Sequence, residues 1–392
     1  MKTIYLDHAA TTPIDPEVLE EMMPFFQEKF ANPSSIHHQG LAVRKEVEKA
    51  RGDVADIFNC LPEEIIFTSS PTENDDLIIK GISESIGRGR VLTTKIEHHS
   101  MLDSVKELDK KKGKFFMKPF KIGFLPVDEH GHLKLHILER EIDNRTIIVS
   151  VMYANNEIGT VQDISRISQI IKEKSKKACF YVDAVQAAGT LDLDVKKLGV
   201  DALSIGAHKF YGPKGSGALF LKKGTKIQPQ IVGGGQERGF RGSTENVAGI
   251  IGLAAALKKA YKNAAQENKR LTELRDYFIK KVLDEIKNTK LNGHPKDRLP
   301  NNVNISFGHI EGESVLLSLD KEGICVSTGS ACSSDSLEPS HVIGACGLDE
   351  DDTMAHGSVR FTLGKSTSKD DLDFTLKILK REVERLRSIS PI

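Results

Sequence analysis

Through roughly the first 260 residues, short apolar runs alternate with amphipathic, charged stretches. Strand candidates are Glu64 to Thr68, Arg90 to Thr94, Thr146 to Tyr153, Cys179 to Asp183, Ala202 to Ile205 and Gly217 to Leu221. Helix candidates include Glu17 to Phe30, Ala42 to Phe58, Met101 to Lys110 and Ile164 to Lys174. A chain that switches period in this way builds an α/β layer on a largely parallel sheet. Ligands of such sheets occupy the crevice beyond the carboxyl ends of the strands. Asn155-Asn156, Asp183 and His208-Lys209 each follow a strand candidate, so three segments are expected to converge there.

A length of 392 residues suits two domains. A long amphipathic helix is expected from near Ala254 through Arg270, leading into a second, smaller domain. That domain takes Asn302 to Phe307, the Ser/Gly-rich loop Ser327 to Ser336, Ser358 to Leu363 and a final charged helix. Net charge is zero, which gives no global field for nucleic acid or anionic membrane. The first residues have no apolar signal-peptide core, and the longest apolar stretch, Val247 to Leu257, is too short to span a bilayer. Five cysteines, odd in number and without C-x-x-C spacing, point to free thiols and a cytoplasmic location.

The chemistry concentrates between Asp183 and Lys209. An acid ends one apolar run, and a lysine follows the next, between His208 and a Gly-rich turn. An aspartate that keeps a pyridine nitrogen protonated and a lysine that forms a Schiff base are the two parts a pyridoxal phosphate (PLP) enzyme needs. A turn-forming Asp and a surface Lys produce the same spacing, which leaves both readings open. In Ile65 to Asn74 a strand leads through hydroxyls to Pro71, which suits a first helical turn. Such a helix start is either an anion site or a plain capped end. Neither a P-loop nor a nucleophile elbow is present. His98 and His99 are adjacent and point different ways, which argues against a shared metal. One of them either stacks on an aromatic cofactor or is structural. Cys332 lies among small polar residues, a setting that suits a travelling nucleophile more than a packed core thiol.

Taken together, the motifs resemble the cysteine desulfurases of the NifS/IscS type, PLP enzymes of fold type I. The matching pieces are Y-L-D-H-A-A-T-T-P at 5–13, N-P-S-S-I-H-H-Q-G at 32–40, T-E at 72–73, I-E-H-H at 96–99 and A-N-N-E-I-G at 154–159. They continue with D-A-V-Q at 183–186, A-H-K at 207–209, G-G-G-Q-E-R-G at 233–239, S-T-G-S-A-C at 327–332 and V-R-F-T-L-G at 359–364. The resemblance implies a large α/β domain with a mostly parallel, mixed sheet over 15–257. Residues 1–14 and 258–392 would form a smaller α+β domain carrying the nucleophile loop. Lys209 would hold PLP and move the Cα proton of L-cysteine. Asp183 would pair with the pyridine nitrogen, Gln186 with the phenolic oxygen, and His98 would stack on the ring. Thr72 and His208 would bind the phosphate, with Thr244 reaching in from the partner of a homodimer. Asn156 and Arg360 would hold the substrate carboxylate. Cys332 would take the sulfur as a persulfide, release alanine and pass the sulfur to an acceptor protein for iron–sulfur clusters or tRNA thiolation.

Four positions depart from the family pattern: Ser70-Pro71, Asp76, Gly206, and the order Gly242-Ser243 before Thr244. All fall on the expected phosphate cup. Pro71 has no N–H to offer, and Gly206 lacks the hydroxyl that relatives supply. Weaker PLP binding is therefore expected, and Gly206→Ser is expected to tighten it. The competing readings are a selenocysteine lyase, an aminotransferase, against which Cys332 speaks, and a cofactor-poor regulatory or scaffold homologue.

Overall fold

The computed structural model describes residues 3–110, 119–328, 339–348 and 353–389. The chain enters through a short strand, β1 (Ile4–Tyr5), whose partner lies far along the sequence. One sheet then takes β2 (Ile65–Thr68), β3 (Gly89–Thr94), β4 (Phe120–Leu125), β5 (Thr146–Met152), β6 (Cys179–Asp183), β7 (Ala202–Gly206) and β8 (Gly217–Leu221). Their spatial order is β2-β8-β7-β6-β5-β3-β4. β8 runs antiparallel to both neighbours, and every other pair is parallel. β2, β5, β6, β7 and β8 are buried along their whole length. Burial on both faces explains why they read as continuous apolar runs rather than as alternating ones.

Helices cover both faces of this sheet. Val47, Ile167 and Leu253 represent the helices of one face, and Ile78, Met101 and Val105 those of the other. The smaller domain is built from β9 (Thr289–Leu291), β10 (Asn302–Phe307), β11 (Ile324–Cys325) and β12 (Ser358–Thr362). β12, β10 and β9 form an antiparallel sheet, and β11 pairs in parallel with β1. Its core joins Phe278, Phe307 and Phe361 to the helices Gly312–Asp320 and Lys369–Ile389.

Three sequence expectations change in detail. The helix expected over Glu17 to Phe30 is broken into Pro16–Met22 and Pro24–Gln27. Pro24 has no N–H for the carbonyl one turn back, so the first helix stops before it. The connector helix begins at Val247, not near Ala254, capped by the Asn246 side chain on the Gly249 amide. Its apolar start, Ala248 to Leu257, packs in the large core, and Leu271 to Val282 pack in the small one. β4 has no counterpart among the strand candidates. Gly123 inside it and Pro119 and Pro126 beside it weigh against a strand. An edge strand, which β4 is, tolerates them.

Candidate active site

Strands β2, β3, β5, β6 and β7 all run the same way and deliver their carboxyl ends to one cavity of about 320 Å³. Thr72 follows β2, His98 follows β3 and Asn156 follows β5. Asp183 and Gln186 follow β6, and His208 and Lys209 follow β7. Arg360 comes from β12 of the smaller domain, and all eight residues line the cavity. Residues spread over almost 290 positions of sequence thus meet because the strands are parallel and their neighbours are consecutive in space.

Asp183 ends a fully buried strand. Burial pushes its carboxyl up. The Val185 amide, 2.9 Å from Oδ1, and the charge of Lys209 pull it back. Lys209 closes the short turn after β7 and donates from Nζ to the carbonyls of Ala9 (2.6 Å) and Ala10 (2.8 Å). Gln186 donates to the same Ala9 carbonyl at 3.0 Å. The N-terminal segment therefore holds two of the expected cofactor residues, a part that was legible only in the Y-L-D-H-A-A-T-T-P motif. Burial first, and the Lys209 charge second, push the His98 and His208 imidazoles down to about 4. Both rings are neutral at neutral pH, so any anion bound beside His208 meets a dipole and not a charge.

Asn155 and Asn156 divide their work. Asn155 is buried, accepting from the Glu157 and Ile158 amides and donating to the Ile96 carbonyl. Asn156 faces the cavity, and its carbonyl accepts from Arg360 Nη1 at 3.0 Å. Arg360 Nη2 meets Asp7 Oδ1 at 2.8 Å, while Nε is buried with no partner among the described residues. That free N–H lies on a cavity-lining guanidinium, a group suited to a carboxylate.

Cys332 lies outside the described residues. Both ends of its segment are nevertheless fixed at the cavity. Ser327 exchanges two backbone hydrogen bonds with Arg360, of 3.1 and 2.7 Å. Ser340 donates to the cavity-lining Glu157, whose carboxyl burial pushes up to about 7. His341, the next residue, also lines the cavity and meets the Glu97 carbonyl through Nε2 at 3.0 Å. Its signal in the sequence was the L-E-P-S-H-V run after the cysteine.

Thr244 does not join the cavity of its own chain. It is exposed and lines a separate depression with Ser69, Glu237 and Ser243. The base of its loop is fixed by Glu237, which accepts from Arg51 Nη1 and Nη2 at 2.7 and 2.9 Å and from the Phe67 amide. In the expected phosphate cup the serine hydroxyls are already committed. Ser70 caps the following helix on the Glu73 amide, and Ser69 donates to the Glu73 carboxylate at 2.6 Å. A Cβ at Gly206 would stand 2.6 Å from Pro71 Cγ. The expectation that Gly206→Ser alone improves the cup is therefore corrected: the proline ring fills the space the serine needs. Outside the cavity, His132, His294 and Asp297 bring possible metal-ligand atoms within 4.8 Å of one another. The His294 Nδ1 lone pair is already taken by the Lys296 and Asp297 amides.

A family model described as aminotransferase class-V matches residues 4–374. The chain belongs to that family. A protein named cysteine desulfurase IscS from Dictyoglomus turgidum is 50% identical over 392 residues, covering 100% of this chain and 97% of that one. A solved structure titled NifS-like protein superimposes with a TM-score of 0.90 at 37% identity, over 98% of this chain and 100% of that one. Another, titled SspA in complex with cysteine, gives a TM-score of 0.79 at 32% identity, over 92% of this chain and 99% of that one. Within aminotransferase class V, the chain is a member of the IscS/NifS group of cysteine desulfurases.

Proposed function

We propose that this chain is a PLP-dependent L-cysteine desulfurase. One observation carries the reading: Asp183, Lys209 and Arg360 line a single cavity. The residues there fit PLP. A buried carboxyl suits a pyridine nitrogen, a neutral imidazole at His98 suits a ring face, and Thr72 and His208 suit an anionic group. Gln186 suits a phenolic oxygen. When bound, the cofactor supplies an electron-withdrawing ring that stabilises negative charge at the substrate Cα.

The chain's own groups do the rest. Asp183 stays ionised against the pyridine nitrogen, since an opposite charge favours the carboxylate. Lys209 holds the cofactor and carries the proton to and from Cα. Arg360, through its free Nε–H, and Asn156 orient the L-cysteine carboxylate. The Cys332 thiolate then forms an S–S bond to the substrate sulfur as the substrate C–S bond breaks. The electron pair leaves with carbon, which takes a proton to become alanine. Sulfur stays as a persulfide, so no external oxidant is needed. The solved relative whose title names cysteine as its ligand supports this substrate class.

The site is completed in a homodimer. Supporting this, Thr244 sits outside its own cavity, on a loop that includes Gly233 to Gly235 and the 82% exposed Val232. The division into 15–257 against 1–14 with 258–392 is part of the proposal, supported by the pairing of β1 with β11. The sulfur goes to an acceptor protein that serves iron–sulfur clusters or tRNA thiolation.

Cys332→Ser tests the reading. The purified variant should keep the yellow colour of lysine-bound PLP and lose alanine and persulfide production from L-cysteine. Near-normal turnover in the serine variant would remove the desulfurase mechanism.

A further inference from the structure

Behind His98 lies a chain of polar groups that the proposed reaction does not use. Tyr181 Oη donates to Asp75 Oδ1 at 2.6 Å. Ser100 Oγ stands 2.6 Å from Asp75 Oδ2 and 2.7 Å from His98 Nδ1. The Ser100 backbone N–H donates to the same Nδ1 at 3.2 Å. Hydrogen counting sets the direction of the chain. A ring nitrogen that accepts a backbone N–H carries no proton of its own. The short contact between Ser100 Oγ and Nδ1 must then use the serine hydroxyl hydrogen. A serine has only one such hydrogen. The contact between Ser100 Oγ and Asp75 Oδ2 therefore uses a hydrogen on the carboxyl. The Tyr181 hydrogen is engaged at the other oxygen, Oδ1.

Resting on the PLP reading above, we propose that Asp75 and Ser100 are positioning residues for His98. Asp75 remains a neutral acid beside the ionised Asp183, and its proton, passed on as a hydrogen bond through the Ser100 hydroxyl, adds to the Ser100 backbone N–H in holding His98 as the Nε2–H tautomer. The surroundings favour this arrangement. Asp75 is almost wholly buried, and burial raises its carboxyl, with the neighbouring Asp183 charge adding to the effect. Two carboxylates in one buried site cannot both ionise cheaply, and the pyridine nitrogen claims the charge for Asp183. The other charged or titratable groups facing the His98 ring are Lys209, His99, His341 and Asp103, and those facing Asp75 include Asp76. In this tautomer His98 offers a donor at Nε2. It can hydrogen-bond an acceptor or give up a proton there, and it cannot take one.

The test reads the ring directly. Histidine is labelled with nitrogen-15 in the PLP-loaded protein, the His98 signals are assigned by their loss in His98→Gln, and long-range proton–nitrogen correlations report the tautomer. The parent should show Nε2–H. Asp75→Asn, whose amide N–H stands in for the carboxyl proton, should keep it. Ser100→Ala keeps the backbone N–H on Nδ1 and should keep Nε2–H too, so the carboxyl is read separately: with carbon-13-labelled aspartate, the Asp75 signal, assigned by its loss in Asp75→Asn, should show a neutral acid in the parent at pH 7. An Nδ1–H signal in the parent, a switch of tautomer in Asp75→Asn, or an ionised Asp75 carboxyl in the parent would overturn the proposal. Failure of the desulfurase reading would appear in the Cys332→Ser assay and not in these spectra.

Discussion

The ring of Pro71 occupies the space that a side chain at Gly206 would need, with Cγ 2.6 Å and Cδ 3.0 Å from the position of that missing Cβ. The backbone of Gly206 is ordinary extended chain, φ −131° and ψ 123°, so the proline ring, and not the backbone, is what crowds a Cβ there. The two departures from the family pattern are therefore one departure. A proline at 71 requires glycine at 206, and the hydroxyl that relatives carry there is lost as a consequence.

This coupling sets the order in which the cup can be rebuilt. Gly206→Ser alone should destabilise the protein by about 1–3 kcal/mol, the usual cost of overpacking. It should also release PLP faster in dialysis against a carbonyl scavenger. Pro71→Ala together with Gly206→Ser should recover the melting temperature and hold PLP longer than the parent. A single variant as stable as the parent would show that the ring moves aside freely.

Arg360 has one N–H engaged by Asp7 and one by the Asn156 carbonyl, and its buried Nε has no partner among the described residues. Lysine has no counterpart to that second edge. Arg360→Lys should raise the KM for L-cysteine roughly 10- to 100-fold, the worth of one charge-assisted hydrogen bond, and leave PLP bound. A KM within about twofold of the parent would remove Arg360 from substrate recognition.

If Thr244 serves the partner's cavity, mixing inactive Thr244→Ala and Lys209→Ala chains creates one site with both lesions and one with neither. Activity should then return toward a quarter of the parent value. The fraction follows because half of the dimers are mixed and half of their sites are intact. Absence of recovery, with subunit exchange verified by mass spectrometry, would assign each site to a single chain.

Glu97 gives a pH signature. Burial pushes its carboxyl from 4.5 up to about 8, against the Thr94 hydroxyl and the Met152 amide, which favour the charge. Across that window the folded protein holds a proton that the unfolded chain has lost. Stability therefore falls as pH rises from about 4.5 to about 8, by at most about 1.4 kcal/mol per pH unit, and levels off above. Glu97→Gln should remove this slope. Its melting temperature relative to the parent should climb through the window, and a constant difference would mean that Glu97 is ionised in the fold.

Most of the sheet was legible because its strands are buried on both faces. Cys179 to Asp183 and Gly217 to Leu221 match the expected runs at both ends. β4 was not legible, since a glycine and flanking prolines signal a loop unless the strand is known to lie at an edge. Asp183 and Lys209 could be singled out because each ends an apolar run. Asp75 and Ser100 could not, because the 2.6 Å contact between them is set by the packing of two separate helices. The crowding between Pro71 and Gly206 is hidden for the same reason: their proximity belongs to the fold and not to either local segment.

The pairing of β1 with β11, and of the Leu6 carbonyl with the Thr362 amide, orders events during synthesis. The large sheet is complete once Leu221 has left the ribosome. At about 5–20 residues per second, on the order of ten seconds pass before Thr362 follows. Until Cys325 emerges the first strand made has no partner, and until Thr362 does, Lys209 and Asp183 stand beside a wall not yet built. The nascent chain acquires the half of the cavity built from the strand ends, with Asp183 and Lys209, before the part that Arg360 contributes. If Lys209 holds PLP as proposed, a truncated product ending before Arg360 would carry an aldehyde-reactive lysine with no guanidinium to screen what reaches it.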